Sequence, residues 1–533
     1  MFFSQLTHGR KQRIKRYMRI YRYLLSNDRE HFVSSVLRGV SKSVPPSHLS
    51  DLKIFLEGKA LRDAQISVQQ YILRRINFIR LTETILLGID KENGKLDSVS
   101  VPSNYINYLL NNDIKVHALK SKFKWCLSCM VYLMRGFFEV FKISLNRNNK
   151  NESYFLSQSS EGFCSFQGLN DNNLPINSVS KSFTIIDWYI KEGNNLLPIM
   201  AQNKSCYFEN IKGTDVLASA KNLPSLNSLK SRLYFFVHSF FIGIIASVYL
   251  CIGRWTLSLM FFELVHYLQY KYLPNEFKPK QVYFNNSGWF HRPLWTYLLE
   301  DDGGEVCCYF YSLNTFQFYA KGKGKAITFG WELMNWPNYI VWNNNQKKMI
   351  EKLAVSPASY RIANKIWFED KKTDLPSVEK LRVIVFDVPP VRPSLYRKLG
   401  APVEFYTREK MLSFIENICV ICKELQIKPC IKPKREYSSR VYDKGYSSKI
   451  LKLARSDMIE IINPEISAVR LIEKTRFVIA APFSSPAVLA KNAGKEVVYF
   501  DPTNTVLIDE ETDFGIELIH SPQELRNKLE SVI

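Results

Sequence analysis

The sequence predicts an α/β protein: a pair of Rossmann-type domains behind a mostly helical N-terminal extension. Three observations carry this. Between residues 381 and 533 short apolar runs alternate regularly with helical stretches, residues 280–370 show the same alternation less regularly, and residues 26–145 keep helical periodicity with few strand signals. A chain of 533 residues with 46% hydrophobic content has material for more than one core.

The extension occupies residues 1–180. Residues 1–25 carry Arg10, Lys11, Arg13, Lys15, Arg16, Arg19 and Arg22 with no acid, interleaved with Ile14, Tyr17, Met18, Ile20, Tyr21 and Leu24. Such a basic, aromatic helix either docks on an anionic membrane surface or packs on the rest of the protein, and the pattern alone fits both. Asn146–Asn151 and the Ser/Gly/Asn-rich stretch to Val179 read as loops, which places a boundary near 180.

An N-terminal α/β unit follows at 181–370. It contains Leu233–Gly253, a run without Lys, Arg, Asp or Glu, flanked by Lys230, Arg232 and Arg254 and long enough to cross a bilayer. A single span would separate the strand-like Phe183–Tyr189 from the rest of its own domain, and a partner span at Trp125–Leu145 is interrupted by Arg135, Glu139 and Lys142. A buried or membrane-dipping helix is therefore expected ahead of a true transmembrane helix, and both readings stay open. Gln281–Phe284 and Glu305–Ser312 read as strands, Arg292–Glu300 as a helix, and Met334–Lys352 as mixed.

Residues 371–380, with Pro376, form a linker, and 381–533 form the second Rossmann-type unit. Its strands are Leu381–Phe386, Pro429–Lys432, Met458–Ile462, Phe477–Ala480 and Val497–Phe500; its helices are Glu409–Leu425, Tyr446–Ala454, Glu465–Lys474 and one opening at Ser485. Ser485 reads as N-cap, Pro486 as the first helical residue and Gly494 as the stop. Ser521-Pro-Gln-Glu524 is a capping box that opens a terminal helix.

The formal charge of +22 calls for an anionic partner. Nucleic acid ranks last, because no recognition helix or RNA-binding signature accompanies the charge. Cys126/Cys129 and Cys419/Cys422 lie in apolar stretches without histidines and read as core, so neither a metal nor a cofactor is expected. No cleavable signal is visible, which makes the cytoplasm the expected compartment.

The chemistry gathers at the carboxyl ends of strands, where doubly wound folds bind ligands. After Phe477–Ala480 come Ser484 and Ser485, two hydroxyls at a helix start, suited to phosphate. Lys432-Pro-Lys434-Arg435 places three cations after the second strand, and Asn463-Pro464-Glu465 follows the third. On the facing unit, Asn285, Asn286, Ser287, His291 and Arg292 fall between a strand and a helix, with His291 able to move a proton and Arg292 able to hold an acidic acceptor. Glu300-Asp301-Asp302-Gly303 reads as a helix stop and turn, and Lys321-Gly-Lys-Gly-Lys325 lacks the spacing of a P-loop.

Pro482-Phe-Ser-Ser485, Arg292-Pro-Leu-Trp295, Tyr309-Phe-Tyr-Ser312, Val341-Trp342 with Gln346, and Asp387 after the first C-terminal strand carry a resemblance. Residues 280–520 resemble the bacterial surface-polysaccharide biosynthesis proteins named for a PFTS motif. They also look like GT-B glycosyltransferases more widely, including those that use CMP-activated Kdo or sialic acid. The motif's Thr-Ser stands here as Ser484-Ser485, and Lys432-Pro-Lys434 keeps the Lys-Pro of a Lys-Pro-His-Pro element but has Lys for His. The resemblance implies a GT-B-like, metal-independent enzyme that moves a sugar from a nucleotide-sugar, a CMP-sugar first, to a lipid-linked surface glycan. It also implies work at the cytoplasmic face of the bacterial inner membrane, and adds Asp302 to His291 as a catalytic candidate. A nucleotide-sugar epimerase and a non-catalytic membrane component of polysaccharide assembly are the rival readings.

Overall fold

The computed structural model describes residues 2–26, 32–42, 49–89, 96–145, 163–166, 184–187, 223, 226, 228–275, 278, 281–285, 291–310, 313, 331–362, 375–377, 381–393, 406–508 and 514–532. The Lys321–Lys325 turn, Asn286, Ser287 and most of the 371–380 linker lie outside the described residues.

The N-terminal part is helical: α1 (Phe2–Ser26), α2 (Phe32–Lys42), α3 (Ser50–Lys53), α4 (Gly58–Arg62), α5 (Ala64–Arg75), α6 (Phe78–Ile89), α7 (Ser103–Asn111) and α8 (Ala118–Leu145). Of the two readings of the basic helix, packing is what the fold contains. Tyr17, Ile20, Tyr21 and Leu24, at helical spacing, are buried in the main core, and α1 packs on α6. Its cation Arg13 reaches Asp97 at 2.5 Å and Glu83 at 3.0 Å, so that charge is turned inward.

A pair of short parallel strands, β1 (Phe163–Phe166) and β2 (Thr184–Asp187), comes next. β2 matches the strand expected at 183–189, whereas β1 falls in a stretch read as loop; its four residues are too few for periodicity to register. Helices α9 (Leu229–Cys251) and α10 (Thr256–Lys271) follow, and α8, α9 and α10 pack on one another. Facing residues show α8 and α9 to be antiparallel: Phe141 meets Phe236, Phe137 meets Phe240, and Trp125 meets Trp255 just beyond α9. Nearly every residue of α10 is buried. Two of the three charges that interrupt α8 are absorbed locally, since Glu139 is buried and pairs with Lys142 at 3.0 Å, whereas Arg135 stays exposed.

The first α/β sheet is wholly parallel, in the order β3 (Gln281–Asn285), β4 (Glu305–Tyr309), β5 (Asn338–Val341), β6 (Ser359–Ile362). Helices α11 (Trp295–Asp301) and α12 (Asn344–Leu353) belong to it, the latter capped by the Asn343 carboxamide. α11 begins at Trp295 rather than Arg292, and Pro293 disfavours helical backbone at Arg292, the residue before it.

The second sheet, also parallel, runs β12 (Glu517–Ile519), β11 (Glu496–Phe500), β10 (Phe477–Ala480), β7 (Val383–Asp387), β8 (Cys430–Pro433), β9 (Glu460–Ile461). From central β7 the chain steps outward through β8 and β9, then returns to the other side of β7 for β10, β11 and β12. The order reverses between β7 and β10, which makes the gap beyond their carboxyl ends the switch point where such sheets bind ligands. Both faces are covered: Ile384, Phe386, Val478 and Ala480 join the main core, while Val383, Val385, Phe477 and Ile479 join a second one. Its helices are α13 (Arg408–Glu424), α14 (Lys444–Arg455), α15 (Ala468–Lys474), α16 (Ser485–Asn492) and α17 (Pro522–Val532). The capping box closes reciprocally, with Glu524 N–H on Ser521 Oγ at 3.3 Å and Ser521 N–H on the Glu524 carboxylate at 3.4 Å. Cys419 and Cys422 are core residues of α13, where burial lifts their thiols to about 11 and about 12.

Candidate functional site

The chain leaves β10 through Ala481 and Pro482 and turns at Phe483, which sits in the left-handed region at φ 64°. Surrounding contacts hold that strained residue: its ring is buried with Val506, and Tyr406 donates its hydroxyl to the Pro482 carbonyl at 2.8 Å. The turn starts the helix one residue earlier than the sequence suggests. Ser484 is the N-cap, Ser485 the first helical residue and Pro486 the second, which corrects the assignment of Ser485 as cap. Gly494, at φ 70°, does end the helical segment.

The two hydroxyls differ. Ser485 Oγ accepts the backbone N–H of Leu313 at 3.0 Å, so the start of α16 touches the other α/β unit. Ser484 makes no capping bond, and its Oγ is buried without a hydrogen-bond partner although the residue is only 8% exposed. A buried hydroxyl with nothing to bond costs about 1–3 kcal/mol, and it stands where a helix start presents N–H groups and positive potential.

Beside it, β7 ends in Asp387, one interstrand step from β10. This carboxylate is fully buried and accepts hydrogen bonds from Tyr437 at 2.5 Å and Tyr446 at 2.7 Å. Burial pushes its pKa up to about 6, against the two tyrosine hydroxyls and a backbone N–H that stabilise the charge. The tyrosines escape sequence reasoning because each reads as an ordinary apolar position, with no spacing to Asp387 that could join them.

The remaining donor-side residues divide. Lys432 is buried and donates to the carbonyls of Pro433 at 3.1 Å and Pro464 at 2.8 Å, which ties the end of β8 to the turn after β9. This corrects the picture of Lys432 as an open cation: it lies inside the strand, facing in. Lys434 and Arg435, just past β8, are exposed. Asn463-Pro464-Glu465 is a turn closed by Asn463 Oδ1 on the Glu465 N–H at 2.8 Å, and not a helix start; α15 begins at Ala468 with Ser467 as cap. The structure therefore brings Ser484, Ser485, Asp387, Lys434, Arg435 and Asn463–Glu465 to one carboxyl rim, with the serines two strands from the exposed cations, roughly 10 Å.

Of the acceptor-side residues, His291 and Arg292 are not placed on an open cleft. His291 is enclosed under α5 and α10: its Nδ1 takes a hydrogen bond from Arg74 at 2.8 Å and Nε2 faces Glu263 at 3.6 Å. A guanidinium only donates, so the ring proton sits on Nε2. Burial, with Arg74 and Arg75 nearby, drives the His291 pKa well down and keeps it neutral. Arg292 is buried too, bonded to Thr296, the Asn335 carbonyl and Glu300, with its guanidinium 3.8 Å from the Tyr297 ring centre. Both residues fasten the helical extension to the first sheet, an outcome set by Gln70 and Arg74 from α5, more than 200 residues upstream. Asn285 ends β3 in register with Tyr309. Asp302 follows α11 and precedes β4, on the rim at the amino ends of the strands, where it accepts from Tyr270 at 3.0 Å and Lys278 at 2.7 Å. No group of three or more metal-ligating side chains occurs among the described residues.

Two wholly parallel sheets, the second in Rossmann order with Ser484 and Ser485 at its switch point, define a two-unit α/β fold of Rossmann type behind a helical N-terminal region. Residues 236–529 match the family described as polysaccharide biosynthesis PFTS motif protein, and this is more than half of the chain, which belongs to that family. The matched range includes the Pro482–Ser485 elbow. A search of curated proteins finds no match. Among solved structures the chain is similar to TarM, at 13% identity and TM-score 0.27 over 47% of each chain. It is also similar to the glycosyltransferase of kitacinnamycin, at 10% identity and TM-score 0.31 over 70% of this chain and 91% of that one. The chain spans about half the length of TarM, and likeness this loose sets no residue of the site.

Proposed function

We propose that the chain transfers a sugar from a nucleotide-sugar donor, a CMP-sugar first among them, to a lipid-linked surface glycan at the cytoplasmic face of the inner membrane. The observation that carries this is the buried, partnerless Ser484 hydroxyl at the start of α16. A donor phosphate would complete it, with the helix dipole behind the phosphate and Lys434 and Arg435 supplying positive charge from the loop two strands away. Catalysis is then positioning plus electrostatic support for the departing nucleotide phosphate, without a metal in the scheme. Neither His291 nor Asp302 is given the role of base: the first has its acceptor nitrogen occupied by Arg74 and the second faces the opposite rim. The acceptor would enter between the two units, close to the Leu313–Ser485 contact.

Binding and hydrolysis assays across CMP-, UDP-, GDP- and TDP-sugars test the proposal, with and without a chelator. Ser484→Ala should weaken donor binding at least tenfold. The same change should leave the ligand-free protein within about 0.5 kcal/mol of wild type, or stabilise it, because no capping bond is lost. A variant that melts early but binds normally, or a wild type that binds none of the four donors, refutes the phosphate role.

A further inference from the structure

Helices α8 and α9 lie side by side, antiparallel, with α10 beneath both. On α8 the residues turned away from α10 include Phe123, Leu127, Met130, Met134, Phe138 and Phe141, at steps of four, three, four, four and three, and all are exposed. Phe138 is 69% exposed. On α9 the matching stripe is Leu233, Val237, Phe241, Ile244 and Val248. A single exposed leucine is ordinary, but two adjoining helices each showing a continuous apolar stripe are not. Lengths of 28 and 23 residues make the face about 35–40 Å long.

No carboxylate faces outward from this pair. Glu139, the one acid of α8, is buried, and α9 has none. Cations instead stand at both ends: Lys120 and Lys122 at the start of α8, close to the end of α9 where Arg254 holds Asp51, and Lys230 and Arg232 at the start of α9 beside the end of α8. Two cations border the stripe between its ends: Lys142 pairs with buried Glu139, and Arg135 lies over the Tyr132 ring, on a side chain long enough to lift its charge to the headgroups.

We propose that the α8–α9 face is a membrane-insertion surface that takes an anionic bilayer, both helices lying in the interfacial plane with their stripes in the acyl boundary. The occupant follows from charge complementarity, an acid-free apolar strip with cations at each end, and from the area's shape, long and flat rather than a pocket. In this arrangement α9 lies in the plane, although its length and composition would allow it to cross; its opposite stripe, Phe235, Ser239, Ile242, Gly243 and Ala246, is buried against α8 and α10. This deepens the membrane placement of the proposed reaction but stands on a separate observation, and lipid binding is measured without donor.

The test floats the full chain with vesicles of phosphatidylglycerol and phosphatidylethanolamine, against phosphatidylcholine alone. Wild type should bind the anionic vesicles, and Phe138→Glu/Phe241→Glu should lose roughly tenfold or more. Leu127→Lys/Val237→Lys, on the same face but with added positive charge, should lose insertion as well. Val420→Glu, an exposed apolar position on α13, should bind as wild type does. A wild-type circular-dichroism spectrum and melting transition in each variant establish that it is folded. Two results overturn the proposal: face variants that float undiminished, or a wild type that is a stable dimer without lipid and is split by the face variants while vesicle binding persists. In cells, Cys251 and a Ser228→Cys variant, at the two ends of α9, should react with an impermeant thiol reagent from the same side; labelling from opposite sides refutes the in-plane arrangement.

Discussion

Asp387 is a single residue whose environment can be read by titration. Its pKa is raised to about 6 from an ordinary carboxylate value, so the folded state holds a proton that the unfolded chain has already released. Stability from this group is complete below the unfolded pKa and is lost as pH rises through the folded one. Between pH 4 and pH 7 the urea midpoint of wild type should fall relative to Asp387→Asn, by the equivalent of up to about 3 kcal/mol. A constant difference over that window would mean that the carboxylate is not buried as described. Donor binding measured over the same range shows whether the Asp387 proton matters to the neighbouring serine site.

At the scale of elements, the α8–α9–α10 packing depends on glycine where helices touch. A Cβ on Gly136 would stand 2.3 Å from Phe261 Cδ1, overlapping the edge of a fully buried ring. Gly136→Ala should therefore lower the melting temperature, because overpacking of about 1–3 kcal/mol outweighs the ~1 kcal/mol that alanine gains over glycine in a helix. Adding Phe261→Leu should recover part of the loss, and a Gly136→Ala protein more stable than wild type would contradict this packing. The other element that decides function is the β10–α16 elbow. Its strand, helix and stop glycine are legible from the apolar run, the Ser-Pro pair and Gly494, but the positive φ at Phe483 is not, since nothing local favours a phenylalanine there. Contacts from Val506 and Tyr406 impose it, and with it the one-residue shift that makes Ser484 the cap.

Across the whole molecule the formal charge of +22 acts at long range, whereas the apolar stripes act only on contact. Raising salt from ~0.1 M to ~1 M shortens the screening length from about 10 Å to about 3 Å. Vesicle binding should then weaken severalfold yet persist, because insertion of the stripes is not screened. Its complete loss at ~1 M salt would make the attachment purely electrostatic. The same distance argument explains which site residues could be found in advance. Ser484, Ser485, Lys434, Arg435 and Asn463–Glu465 share a rim because strand order puts every βα turn of a parallel sheet at one edge, which alternation alone announces. His291, Arg292 and Lys432 were placed by their neighbours in sequence, while their actual partners are α5, α11 and the turn after β9.

The sequence by itself determined the architecture: two parallel sheets with helices between strands, a helical region ahead of them, and a serine pair at a strand-to-helix turn. Periodicity, caps and stop residues are local, and local physics suffices for them. Only the tertiary structure decided which hydroxyl of the pair lacks a partner, which cations point inward, and which faces of α8 and α9 stay bare. Those outcomes depend on what packs against each side chain from hundreds of residues away, and a charge or an apolar stripe has the same sequence signature whether it is covered or open.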